Sequence, residues 1–360
     1  MFRKHNFSAG PAAIPSEVLE RAQSELLDWN QKGLSIMEMS HRSKEFVAVA
    51  QKAEADFRDL LKIPNNYKVL FLQGGATSQF AMIPLNLARA DQNTAYIETG
   101  MWSSKSIVEA QRFSNVEIIA SAAERNYLSV PEQSELTLNS DVAYLHYASN
   151  ETVGGLSFDY VPQTGDVPLV ADMSSDILSK EIDISNFGMI YAGAQKNIGP
   201  AGLTVVIIRD DLLGKAQTNI PKMYNYQVHA QAESMSNTPP TFAWYLSGLV
   251  FEWLLSRGGV AAIEQINSRK AAKLYSAIDG SGFYTNAIKH ANRSLMNVPF
   301  NITSPGLDAK FLELSTQADL LNLKGHKAAG GMRASIYNAV SEESVDALVE
   351  FMQDFEKSYG

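Results

Sequence analysis

Seven short apolar runs punctuate the first two thirds of the chain: VLFL at Val69, AYI at Ala95, VEIIA at Val116, VAYLHY at Val142, PLVAD at Pro168, MIYAG at Met189 and LTVVII at Leu203. They are apolar on consecutive positions rather than alternate ones, and longer segments of helical period separate most of them. A strand of that kind is covered on both faces, which is the condition of a mainly parallel sheet flanked by helices. The expected class is α/β, with a large domain built on that sheet.

Ser16 to Asp28 reads as a helix with Ser16 as N-cap and Val18, Leu19, Ala22, Leu26 and Leu27 on one stripe. A second helix is expected over Lys44 to Leu61. Between Pro239-Pro240 and Gly258-Gly259 lies a very apolar helix, too short for a membrane span and therefore read as buried. After Gly259 come a helix through Ile278, the run SLMNVPFNI, a helical DAKFLELSTQADLLNL, the strand-like MRASIYNA and a final amphipathic helix ending near Lys357. This suggests a smaller α+β unit at 259–360, with 1–258 forming the N-terminal segment and large domain.

A formal net charge of −9 opposes non-specific attraction to nucleic acid or anionic lipid, so neither is an expected partner. With no cysteine, disulfides, thiolate zinc sites, iron–sulfur clusters and cysteine nucleophiles are excluded, and no metal is called for. The start MFRKHNFSAGPAAIP has no apolar stretch behind its basic residues, so a cytoplasmic location is expected.

In YAGAQKNIGPAGL, residues 191–203, Lys196 follows an apolar run among small, turn-forming residues. An isolated lysine is usually a solvated surface residue. This one stands at the carboxyl end of a strand, where open α/β sheets place their ligands. A partly desolvated lysine has a lowered pKa and attacks carbonyls.

Asp172 closes PLVAD, an interval from Lys196 that suits strand, crossover and strand. Alone it reads as well as a helix N-cap; paired with Lys196 it matches the ring-nitrogen partner and Schiff-base lysine of a pyridoxal phosphate site. The phosphate then needs a cradle, and Gly74-Gly75 lead into Ala76, Thr77 and Ser78 at a helix start, where backbone N–H groups bind anions. Trp102 could stack on a planar cofactor or simply fill core, and Thr152 could bond a phenolic oxygen or be an ordinary loop threonine. Each signal is weak alone, and all of them fall at strand ends.

The stretches NFSAGP at Asn6, SHR at Ser40, GAQKNIGPAGLT at Gly193, NTPPTFAWYLSGLVF at Asn237 and GHKAAGGMRASIYNA at Gly325 make the sequence similar to the phosphoserine aminotransferase family, over nearly its whole length. That resemblance implies a PLP-dependent transferase of fold type I, with Lys196 as the Schiff-base lysine, Asp172 on the pyridine nitrogen, Trp102 on the ring face and Thr152 on the phenolic oxygen. It assigns the cofactor phosphate to Ala76, Thr77 and Gln195, completed by Asn237 and Thr238 of a neighbouring subunit, and so implies a homodimer with a shared site.

His41, Arg42, His326 and Arg333 match residues that receive substrate anions, although an arginine taken singly is more often a surface ion-pair partner. The implied reaction moves the amino group of L-glutamate to 3-phosphohydroxypyruvate, giving O-phospho-L-serine and 2-oxoglutarate, with a related phospho-keto acid of pyridoxine synthesis as a second substrate. Two positions depart from well-known bacterial members: Ala9 stands where they carry serine, and Thr77 where they carry arginine. These remove a hydroxyl and a cation near the substrate.

Competing readings fare worse. Cysteine desulfurases of the same fold need the cysteine this chain lacks. A non-catalytic regulator predicts a missing lysine or an added DNA-binding segment. A cofactor-free Schiff-base lyase leaves Asp172, Trp102 and the phosphate cradle without a common purpose.

Overall fold

The computed structural model describes residues 3–360; Met1 and Phe2, part of the start judged above for a leader, lie outside the described residues. The first half of the chain runs β1 (His5–Asn6), α1 (Ser16–Ser24), α2 (Lys44–Leu61), β2 (Tyr67–Leu72), α3 (Gly75–Leu87), β3 (Asn93–Glu98), α4 (Met101–Ala110), β4 (Asn115–Ser121), β5 (Leu145–Ala148), β6 (Asn150–Glu151), β7 (Leu156–Ser157) and β8 (Leu169–Asp172). There follow β9 (Met189–Gly193), β10 (Thr204–Arg209), α5 (Tyr226–Gln231), α6 (Thr241–Ser256) and α7 (Gly259–Asp279). The chain closes with β11 (Tyr284–Thr285), β12 (Asn297–Ile302), α8 (Asp308–Gln317), β13 (Leu320–Leu321), β14 (Met332–Ser335) and α9 (Glu342–Tyr359).

All seven apolar runs contribute strands to one seven-stranded sheet of order β2-β10-β9-β8-β5-β3-β4. Alternate residues feed two cores. Phe71, Ile97, Tyr147, Ala171, Ile190 and Val205 face α2 and α6, while Leu72, Tyr96, Val170, Tyr191 and Val206 pack on the side of α3. Consecutive apolar positions follow from that double covering. The edge strand β4 departs from it, with Ile118 at 46% exposure, whereas β2 at the opposite edge stays almost wholly buried.

The sheet is parallel except for β10, which pairs antiparallel with both β2 and β9. A parallel return needs a crossover of a dozen or more residues. The segment from β9 to β10 is too short for that, and this hairpin-like return carries Lys196. Between β8 and β9 the crossover is a short 3-10 turn, Ile184–Asn186, rather than an α-helix.

The α1 reading needs correction: the helix begins at Ser16 with Pro15 as N-cap and ends at Ser24. Leu27 lies 86% exposed beyond it, so the apolar stripe breaks where the helix stops. The helix expected over DAKFLELSTQADLLNL also needs correction, since α8 ends at Gln317 and Leu320–Leu321 form the strand β13 that pairs with β1; the remaining helices start and end close to the sequence expectations. Among the described residues no single helix is long and apolar enough to cross a membrane.

In the C-terminal part, β11, β12 and β14 form an antiparallel sheet that packs with α7, α8 and α9 around Leu274, Phe300, Phe311 and Phe355. β1 pairs in parallel with β13, and Phe7 is buried in this same cluster. By its packing the N-terminal strand joins the C-terminal unit, not the large domain in which a 1–258 division puts it. Helix α7 spans both cores, contributing Val260 and Ile263 to one and Leu274 and Ile278 to the other.

Candidate active site

Strands β8 and β9 are parallel neighbours with Asp172 in register with Tyr191, so the residues after both emerge at one edge of the sheet. Lys196 is 8% exposed, and its Nζ donates to Thr152 Oγ1 at 2.5 Å. Burial pushes the amine down to about 8; Asp172 and Glu151 pull it back up, and Arg333 depresses it further. The buried Asp172 carboxyl is raised by desolvation, opposed by Ser174, whose backbone N–H donates to Oδ1 at 2.9 Å, and by the charge of Lys196. An amine drawn toward its neutral form and a carboxylate that still feels its charge can share proton traffic at one place.

Thr152 sits in the tight turn between β6 and β7. The turn is pressed onto the C-terminal unit: at Gly155, φ 71°, a Cβ would lie 2.4 Å from Pro299 Cδ and 2.6 Å from the Asn297 carbonyl. Only glycine allows that backbone and that contact together. From β14, Arg333 reaches across and donates from Nη1 to the Thr152 carbonyl at 3.1 Å.

Trp102 stands in the first turn of α4. Its ring centroid is 5.8 Å from Lys196 Nζ and 4.7 Å from Lys105 Nζ. Its Nε1 and Arg333 Nε are buried donors without an acceptor, which is uncommon for buried polar groups. Lys196, Asp172, Thr152, Trp102 and Arg333 thus form one cluster. A cavity of about 600 Å³ opens beside it, between the start of α4, the β6–β7 turn and residues 328–330.

Ala76 and Thr77 occupy the first turn of α3, and Thr77 is exposed. The Gln195 carbonyl accepts from Ala12 N at 2.8 Å, tying the N-terminal segment to the lysine loop. Within the single chain, Asn237 lines a hollow of about 200 Å³ with Gln73, Gly74 and Ser78, and the Thr238 carbonyl accepts from Gln73 Nε2 at 3.1 Å. Both therefore stand beside the turn that leads into α3 of their own chain.

The remaining sequence candidates are not drawn in. His41 and Arg42 lie just ahead of α2; His41 Nε2 is buried without a partner, and the exposed Arg42 guanidinium makes no ion pair or hydrogen bond among the described residues. His326 is exposed on a loop, where its Nδ1 accepts from Ala328 N at 3.1 Å. The Ala9 carbonyl accepts from Tyr337 Oη at 2.9 Å, so this position contributes its backbone.

Sequence reasoning missed several supporting residues. Ser174 Oγ accepts from Gly193 N at 3.1 Å, linking the ends of β8 and β9. Asn197 accepts from Asn338 N at 3.0 Å and donates to the Ile177 carbonyl at 2.9 Å, fastening the lysine loop to the C-terminal unit. Glu151 was the most legible of them, a lone charge beside Thr152 at the end of an apolar run.

The family model for aminotransferase class-V matches residues 4–348. The chain belongs to the class-V aminotransferases. This class-V chain is 61% identical to the phosphoserine aminotransferase of Pseudomonas aeruginosa strain LESB58 over 99% of each protein. Among solved structures it resembles the phosphoserine aminotransferase of Bacillus circulans subsp. alkalophilus, with TM-score 0.98, 48% identity and 99% of each chain covered. The pyridoxal-phosphate-bound phosphoserine aminotransferase of Trichomonas vaginalis is similar at TM-score 0.93 and 41% identity, covering 98% of this chain and 100% of that one. The fold is that of the type I PLP-dependent transferases, a mainly parallel α/β sheet flanked by helices.

Proposed function

We propose that this class-V aminotransferase uses pyridoxal phosphate to move the amino group of L-glutamate to 3-phosphohydroxypyruvate, giving O-phospho-L-serine and 2-oxoglutarate. One observation carries the reading: Lys196 is buried, its amine held by a single hydroxyl and lowered to about 8, beside a buried carboxylate on the adjacent strand. A buried lysine that serves structure looks different. Lys270 donates to the carbonyls of Ile336, Tyr337 and Val340, leaving no N–H of its ammonium free.

The residues present suit the cofactor. A nucleophilic amine, a buried carboxylate, an aromatic face, the exposed N–H groups that open α3, and two buried donors without acceptors complement a planar, anionic, carbonyl-bearing molecule. When bound, pyridoxal phosphate supplies that carbonyl and a ring able to delocalise charge from a substrate α-carbon.

The chain supplies the rest. Asp172 would hold the ring nitrogen protonated by its negative charge. The Trp102 ring would cover one face, and Thr152, already bonded to Lys196 Nζ, would bond the phenolic oxygen. Ala76, Thr77 and Gln195 would bind the phosphate, the first two with backbone N–H groups at a positive helix end. Drawn down to about 8 by burial, the Lys196 amine would take the proton from the substrate α-carbon and pass it to the carbon that had carried the carbonyl, and the opposite half-reaction would run that transfer in reverse. Arg333 and His326 would meet substrate carboxylate or phosphate, for which a guanidinium fork is well shaped.

We read the working unit as a homodimer. An exposed, unpaired Arg42 beside His41 supports their serving the site of a second copy, and Asn237 and Thr238, beside the α3 turn of their own chain, would complete the phosphate cradle where two copies meet at that turn.

The test is a visible spectrum of the protein supplied with pyridoxal phosphate. A band should appear, fade with glutamate and return with 3-phosphohydroxypyruvate, and Lys196→Ala should abolish the cycle. A wild-type protein that develops no band sinks the proposal.

A further inference from the structure

Glu151 is 1% exposed and forms no ion pair among the described residues. Its carboxylate is spent instead on a helix end. Oε2 accepts the backbone N–H of Trp102 at 3.0 Å, and Oε1 accepts both the backbone N–H and the hydroxyl of Ser103 at 2.9 and 2.8 Å. Those N–H groups belong to the first turn of α4, where a helix leaves its donors unpaired and favours negative charge. Burial raises the Glu151 pKa, and these bonds oppose the rise.

The approach is unusually close. A Cβ on Gly100 would lie 2.7 Å from Glu151 Cδ, although the Gly100 backbone, at φ 163°, is extended and open to any residue. Glycine is there to admit the carboxylate. On the other side, the next residue is Thr152, which holds Lys196 through its hydroxyl and Arg333 through its carbonyl. One buried side chain therefore ties the turn that bears Trp102 to the turn that bears Thr152.

Resting on the reading that Trp102 and Thr152 flank a pyridoxal phosphate ring, we propose that Glu151 is a positioning residue: through the N–H groups of Trp102 and Ser103 it sets the distance between the indole and the Thr152 hydroxyl, and so the slot that the ring must fit. A carboxylate that merely capped α4 would add stability and nothing to the slot.

Two substitutions disturb the same contact from opposite sides. Glu151→Gln keeps one oxygen for Ser103 and replaces the acceptor for Trp102 by a donor; Gly100→Ala displaces the carboxylate without changing any charge. Apo-proteins would be titrated with pyridoxal phosphate, following visible absorption and visible circular dichroism, with Tm as a check of folding. Both variants should bind about tenfold more weakly, equivalent to ~1.4 kcal/mol, and show less circular dichroism per bound chromophore because the ring is less rigidly held.

If a folded variant keeps the wild-type Kd and circular dichroism, the inference is overturned, and a lowered Tm alongside them assigns Glu151 to capping alone. Should Glu151→Gln not fold, Gly100→Ala decides. A wild-type protein that captures no pyridoxal phosphate would instead fail the proposed function, an outcome distinct from equal capture by wild type and variants.

Discussion

Replacing Lys270 by methionine removes a cation without opening a cavity, since the two side chains are of similar length and width. Lys270 is fully buried, on α7, and its ammonium donates to the carbonyls of Ile336 at 3.0 Å, Tyr337 at 2.9 Å and Val340 at 2.8 Å. The segment it holds is central to the site. Asn338 donates to Asn197 from its backbone and to the Leu178 carbonyl from its side chain, and Tyr337 reaches the Ala9 carbonyl.

Hydrogen bonds from a charged donor contribute about 1.5–3 kcal/mol each, so three amount to roughly 4.5–9 kcal/mol. Against this stands the cost of keeping an ammonium out of water, several kcal/mol, visible as an amine pushed down to about 7 by burial. The difference leaves the methionine variant about 3 kcal/mol less stable. At about 2 °C per kcal/mol for a chain of this size or somewhat smaller, Tm should fall by about 6 °C. Thermal unfolding by circular dichroism reads the loss, and amide exchange should speed first at Tyr337, Asn338 and Val340. An unchanged or higher Tm would refute the reasoning, showing that desolvation outweighs the three bonds.

The pH dependence of cofactor capture follows from Lys196. Because only the neutral amine attacks a carbonyl, the apo-protein's rate of pyridoxal phosphate capture should rise with pH and level off above about 8, and Asp172→Asn, which removes a charge that raises the amine, should move the midpoint lower; a midpoint near that of free lysine contradicts the burial argument. Arg333→Ala should raise KM for the phosphorylated and dicarboxylic substrates about 10- to 100-fold with a smaller change in kcat, the loss expected of charge-assisted bonds; steady-state kinetics with an unchanged KM would remove Arg333 from substrate binding. Mixing Lys196→Ala with Arg42→Ala, each nearly inactive, should restore about a quarter of wild-type activity through randomly paired hybrid dimers, and no recovery after subunit exchange would mean that Arg42 does not act across the interface.

The sequence alone determined the central sheet and its chemical edge. Strands covered on both faces need apolar residues at consecutive positions, and that requirement is local, so β2, β3, β8, β9 and β10 can be read directly. Lys196, Asp172, Trp102 and Thr152 were legible for a related reason, since each ends such a run or stands a few residues beyond its end. Tertiary structure decided what depends on partners distant along the chain: the antiparallel insertion of β10, the exposed face of the edge strand β4, the pairing of β1 with β13, and the early end of α1 that leaves Leu27 in solvent. It also decided which polar residues serve the site. Glu151, Ser174, Asn197 and Lys270 are ordinary in sequence, and their roles arise because burial makes an unpaired polar group costly, so each is held by partners that only the folded chain brings within reach.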